Sequence, residues 1–89
     1  MQSGEKPRVA MIGLGYIGLP TAAVIARSGC RVFGVDTSPF VVDTLNRGAV
    51  HIQETDLEAL VSQVVANGMF TAALTPEPAD VFSVVQTGV

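Results

Sequence analysis

Three glycines, Gly13, Gly15 and Gly18, follow the apolar run Val9-Ala10-Met11-Ile12 with the spacing G-x-G-x-x-G. Such a turn performs recognition. Backbone N–H groups exposed at a strand-to-helix turn bind a diphosphate, helped by the positive end of the helix dipole. Each glycine has a separate part in this. Gly13 allows the sharp exit from the strand, Gly15 lets the backbone approach the diphosphate, and Gly18 lets the helix pack closely on the strand. An acid belongs with these glycines at the end of the next strand, where it accepts hydrogen bonds from an adenosine ribose. Asp36 meets that requirement, 18 positions after Gly18 and closing the run Arg31-Val32-Phe33-Gly34-Val35. Its charge would repel a 2′-phosphate, and the following Thr37 and Ser38 supply no arginine to hold one, so the reading is NAD rather than NADP.

These residues need a strand, a turn, a helix and a second strand to position them. The pattern predicts strand 1 over Arg8 to Ile12 and a helix from Tyr16 to about Ser28 that ends at Gly29. Pro20, at or just beyond the first turn, is expected to delay regular helix by a few residues. Strand 2 is read as Arg31 to Val35. Ser38-Pro39 reads as an N-cap followed by proline at the first helical position, opening a helix to about Arg47 with Val41, Val42 and Leu45 inward. Thr55-Asp56-Leu57-Glu58 has capping-box spacing. Leu57, Leu60, Val61, Val64 and Val65 then follow with helical periodicity, and this stripe is read as core. Met69 to Leu74 and Val81 to Val85 are expected as strands 3 and 4. The resulting fold class is α/β: a truncated Rossmann-type parallel sheet in the order 3-2-1-4, with helices on both faces.

Composition sets the bounds. Eighty-nine residues, 48% hydrophobic and 15% charged, describe one small, rather apolar domain. A chain of this size buries only about two-thirds of its unfolded surface. The net charge of −3 and the pI near 4.7 leave no basic patch for nucleic acid. A single cysteine, Cys30, excludes an internal disulfide and suits a reducing cytoplasm. Lys6 and Arg8 before the apolar stretch Val9 to Ala26 could imitate a signal peptide or membrane span, but Gly13, Gly15, Gly18 and Pro20 interrupt it and favour a strand followed by a helix.

With these residues named, the sequence resembles the N-terminal part of the nucleotide-sugar dehydrogenases, the family that oxidises UDP-glucose, GDP-mannose and UDP-N-acetylmannosamine at C6. The resemblance rests on Ile12-Gly13-Leu14-Gly15-Tyr16-Ile17-Gly18-Leu19-Pro20 and Gly34-Val35-Asp36. It continues through Asn46-Arg47-Gly48, His51-Ile52-Gln53-Glu54, Asp56-Leu57 and Ala79-Asp80-Val81. The Asn46 to Leu57 run is most like the UDP-N-acetylmannosamine members. The resemblance implies oxidation of an alcohol to a carboxylate with two NAD, through a cysteine-bound intermediate. It implies that Tyr16 and Ile17 meet NAD through their backbone and that Thr87 meets it after strand 4. The family's Val-Pro-Thr-Pro string is Val85-Gln86-Thr87-Gly88 here, without the prolines. Its sugar-binding domain and catalytic cysteine would lie beyond residue 89. The whole 89 residues therefore read as an incomplete NAD-binding domain, inactive alone, with a UDP-sugar substrate and a homodimer or higher assembly belonging to the complete protein.

The remaining chemical residues have simpler readings. Cys30 does not match the family nucleophile and is read as a structural thiol. His51 has no second metal-ligand residue at helical spacing and is read as a hydrogen-bonding loop residue. Glu54 is read as supporting the start of the following helix. Two alternatives stand beside the family: a β-hydroxyacid or 6-phosphogluconate-type dehydrogenase, which would carry Gly-x-Met-Gly where this chain has Gly15-Tyr16-Ile17-Gly18, and a non-catalytic remnant that binds nucleotide weakly.

Overall fold

The computed structural model describes residues 7–76 and, for backbone only, 81–84. The elements are β1 (Val9–Ile12), α1 (Gly18–Arg27), β2 (Val32–Val35), α2 (Pro39–Asn46), α3 (Leu57–Ala66), β3 (Phe70–Ala73) and β4 (Val81–Val84). The strands pair in parallel in the order β3-β2-β1-β4. β1 and β2 are wholly apolar, as strands buried in a parallel sheet tend to be, whereas β3 and β4 each include one hydroxyl residue, Thr71 and Ser83.

Register divides the sheet into two unlike faces. Val9, Val32 and Phe70 align in one row, and Met11, Gly34 and Ala72 in the next row of the same face. The five side chains of these rows, Gly34 having none, and Leu14 join Leu19, Ala22, Ala23 and Ala26 of α1, Leu45 of α2 and Leu57, Val61 and Val64 of α3 in one core. On the opposite face Phe33, Ile12 and Ala73 are only partly buried and Thr71 is exposed. None of them, nor Ala10 or Val35, enters that core. The expectation of helices on both faces is therefore not met among the described residues. The reason is handedness. The β1-α1-β2 and β2-α2-α3-β3 crossovers advance in the same direction, and right-handed crossovers of one direction place their helices on one face.

Two local expectations also need correction. Pro20 does not delay α1, which is regular from Gly18. Proline this close to the helix start removes a single first-turn N–H, while Leu19 N and Thr21 N on either side of it still reach Gly15 O and Ile17 O. Nor does the capping box at Thr55 form. Asp56 is the N-cap of α3, with φ 65° and no side-chain cap bond. At α2 the Ser38 cap is present: Val41 N donates to Ser38 Oγ at 3.3 Å.

Asn46 closes the β3 edge in the manner of an added strand. Its Nδ2 donates to Ala72 O at 2.9 Å, and its Oδ1 accepts from Ala72 N at 2.8 Å. Ala72 is buried, so both backbone groups would otherwise be left unmet. Asn46→Ala is expected to lower stability by about 2–3 kcal/mol, from two lost hydrogen bonds and two stranded backbone groups. Urea denaturation checks this, and a midpoint equal to that of the parent chain would refute it.

Candidate dinucleotide site

The site lies where β1 and β2 end. Gly13 N donates to Val35 O at 2.8 Å, so β1 pairs with β2 up to the turn. Gly13 then adopts φ 100°, a conformation that L side chains rarely reach. The chain doubles back so tightly that a Cβ on Gly18 would lie 1.9 Å from Gly13 O. Leu14, fully buried, extends beneath β2, and a Cβ on Gly34 would meet its methyl carbons at 2.6 and 2.7 Å. Gly34 thus belongs to the site's framework, although the sequence reading gave it no role. A lone glycine inside an apolar strand run is the signal for such an approach.

Asp36 is brought to the mouth of the turn. Its Oδ2 accepts from Leu14 N at 3.2 Å and its Oδ1 accepts from Ser38 N at 3.0 Å. The second bond folds the chain after β2 into an Asx-type turn that leads into α2. Each oxygen retains a lone pair for a further donor.

The N–H groups of Gly15, Tyr16 and Ile17 have no acceptor among the described residues. The start of α1 has no side-chain cap and no acidic residue in its first turn. The Tyr16 and Ile17 side chains are exposed, at 62% and 61%, so what faces a ligand at this turn is backbone N–H flanked by apolar surface. These groups suit a diphosphate, and Asp36 beside them suits a ribose diol. The fit to NAD therefore rests on donors left vacant by the fold, on a backbone approach that excludes a Cβ, and on a carboxylate at the turn. Gly13, Gly15, Tyr16, Ile17, Gly18 and Asp36 are assembled in one place, whereas Thr87 lies outside the described residues.

His51 is tied to the same turn, with Nε2 2.8 Å from Leu14 O. Glu54 supports α3 through its backbone, its carbonyl accepting from Leu57 N at 3.2 Å. Cys30 packs against the core ahead of β2, at the opposite strand ends from the glycine turn. A depression of about 240 Å³ runs over the sheet face away from the core, bordered by Arg8, Arg31, Phe33, Thr71 and Ala73. Among the described residues there is no metal-binding cluster and no helix long and apolar enough to cross a membrane.

Residues 7–87 match the UDP-glucose/GDP-mannose dehydrogenase family, NAD binding domain. The chain belongs to this family. It is 50% identical over 74 residues to an NDP-N-acetyl-D-galactosaminuronic acid dehydrogenase of Ralstonia nicotianae, an alignment covering 83% of this chain and 18% of that protein. It is likewise 50% identical over 72 residues to the UDP-N-acetyl-D-mannosamine dehydrogenase of Escherichia coli K12, covering 81% of this chain and 17% of that protein. The solved UDP-N-acetyl-mannosamine dehydrogenase of Staphylococcus aureus superposes with a TM-score of 0.85 at 37% identity, over 88% of this chain and 19% of the other. The chain thus spans less than a fifth of the length of these relatives. Its cofactor is NAD, as the family's domain description states.

Proposed function

We propose that these residues form the NAD-binding segment of a nucleotide-sugar 6-dehydrogenase of the UDP-N-acetylmannosamine type. The observation that supports this reading is the Leu14 N to Asp36 Oδ2 contact, which sets a carboxylate beside three turn amides that have no acceptor among the described residues. The substrate class is supported by the relatives that act on N-acetylated nucleotide sugars and by the Asn46 to Leu57 run. NAD supplies the hydride acceptor when bound. Gly15, Tyr16 and Ile17 donate N–H groups to its diphosphate, Asp36 accepts from the adenosine ribose and excludes a 2′-phosphate, and Thr87 is a further contact after β4. The sugar chemistry belongs to residues beyond these. In the complete protein the substrate is a UDP-sugar and the assembly a homodimer or larger. The cytoplasm, with its NAD and reduced thiols, is the fitting compartment. The β-hydroxyacid alternative is not favoured, given the family match and Tyr16-Ile17 in place of its methionine.

The test is titration of the 89-residue chain with NAD and NADP, followed by amide NMR. NAD is expected to shift Gly15, Tyr16 and Ile17 with weak affinity, and NADP to bind more weakly still. No response at the turn, or a preference for NADP, would overturn the assignment. The 89-residue chain is also expected to produce no NADH from UDP-sugars, and turnover by the pure chain would contradict the division of labour.

A further inference from the structure

We infer that His51 is a positioning residue for the dinucleotide turn, one that aims the Gly15 N–H at the diphosphate by holding the carbonyl on the other side of the same peptide. This rests on the site reading above and adds a residue that makes no contact with the cofactor itself.

The geometry follows from the planarity of the peptide bond. In a trans peptide the carbonyl of one residue and the N–H of the next point in opposite directions, and no described peptide is cis. The peptides on either side of the one joining Leu14 to Gly15 are held by regular structure or by Asp36, whereas the Tyr16–Ile17 peptide, with Pro20 opposite its carbonyl, has no hydrogen bond among the described residues. Leu14 N is bound to Asp36. Gly15 O accepts from Leu19 N at 3.1 Å, and Ile17 O accepts from Thr21 N at 3.2 Å, as the helix begins. The peptide joining Leu14 to Gly15 has neither kind of support. Its carbonyl meets only His51 among the described residues, at 2.8 Å across 37 residues of sequence. Gly15 makes rotation of this plane easy, because glycine accepts backbone angles that other residues resist. The freedom that lets backbone approach a diphosphate therefore also lets the donor turn away, and His51 opposes that rotation.

The rest of the loop suits a fixed anchor. Ile52, the next residue, is buried in the core, and Val50 packs against it. Ala49 N donates to Thr44 O at 3.1 Å, returning the loop to α2. A carbonyl can only accept, so Nε2 carries the hydrogen, which in the neutral ring is the Nε2–H tautomer. Nδ1 is buried and has no hydrogen-bond partner among the described residues. The Leu14 bond is thus the only hydrogen bond among the described residues that sets the orientation of the ring.

The experiment uses the 89-residue chain and three measurements. Imidazole nitrogen shifts of the parent chain should report the Nε2–H tautomer, and the other tautomer overturns the inference whatever the ligand does. His51→Leu should speed exchange of the Gly15 amide and weaken NAD about 10-fold, while adenosine, which lacks a diphosphate, changes by less than about 2-fold. His51→Gln, whose amide can still donate to Leu14 O, should restore NAD affinity to within about 3-fold of the parent. Equal loss for NAD and adenosine, or no rescue by Gln, assigns His51 a general structural role and overturns the inference. If the parent chain binds NAD and His51→Leu binds it equally with unchanged Gly15 exchange, this inference fails and the site reading stands. If NAD moves no turn amide in the parent chain, the site reading fails, and the tautomer and Gly15 exchange still decide whether His51 holds the turn.

Discussion

Gly18→Ala is expected to abolish measurable dinucleotide binding and to cost more stability than any other single methyl added to the turn. The new Cβ would stand 1.9 Å from Gly13 O, and backbone on both sides of the contact limits any adjustment. Gly13 is fixed by its bond to Val35 O and by its own φ of 100°. Gly18 is the first residue of α1, whose Leu19, Ala22, Ala23 and Ala26 are locked in the core. Relief requires α1 to move off β1, which opens that core. Overpacking of this kind costs about 3 kcal/mol or more. For a domain of this size that lowers the melting temperature by roughly 12–24 °C. Displacement of the turn amides should weaken NAD by about 100-fold or more, equivalent to about 2.7 kcal/mol. Thermal denaturation and titration measure the two effects separately. A variant that melts like its parent and binds NAD normally would show that α1 does not approach β1 as closely as described.

Asp36→Ala is the second large effect, and it combines structure with specificity. The carboxylate accepts from Leu14 N and from Ser38 N, so its removal strands two part-buried donors and, in the proposed site, removes the acceptor for the ribose. Hydrogen bonds to a charged group contribute about 1.5–3 kcal/mol each. NAD affinity should therefore fall by about 10- to 100-fold, and the preference against NADP should largely disappear. Asp36→Asn separates the causes. It keeps an acceptor oxygen for one backbone donor and removes the charge, so it should retain more stability than Asp36→Ala while still relaxing NADP exclusion. Parallel titrations with both cofactors check this. An unchanged NAD-to-NADP ratio in both variants would remove Asp36 from ribose recognition.

The structure lets these two substitutions be predicted as coupled. Asp36 binds the N–H of the residue after Gly13, and Gly18 presses on the carbonyl of Gly13 itself. Both act on the same two-residue segment, so their effects in a double variant should not add.

The glycine turn, the acid after β2 and the α/β class were legible in the sequence because each depends on local chemistry. Glycine spacing at a strand end, an apolar run closed by Asp36 and a Ser-Pro helix start carry their structural consequences within a few residues. The α3 stripe was legible for the same reason, since Leu57, Val61 and Val64 share one face by helical period alone. The failures were of a different kind. Thr55 has the right neighbours for a capping box, but the backbone at Asp56 turns left-handed and moves the cap one residue on. Which face the helices cover depends on the direction of successive crossovers, a property of the assembled sheet that no window of residues contains. Gly34 beneath Leu14, Asn46 on the β3 edge and His51 on Leu14 O join positions 20, 26 and 37 residues apart. Nothing near any of these residues in the chain names its partner. The sequence determined by itself that a glycine turn follows β1 and that an acid closes β2, the two parts that the proposed site needs. Only the tertiary structure decided which groups meet that turn, because Asp36, Gly34 and His51 reach Leu14 only after the strands have paired.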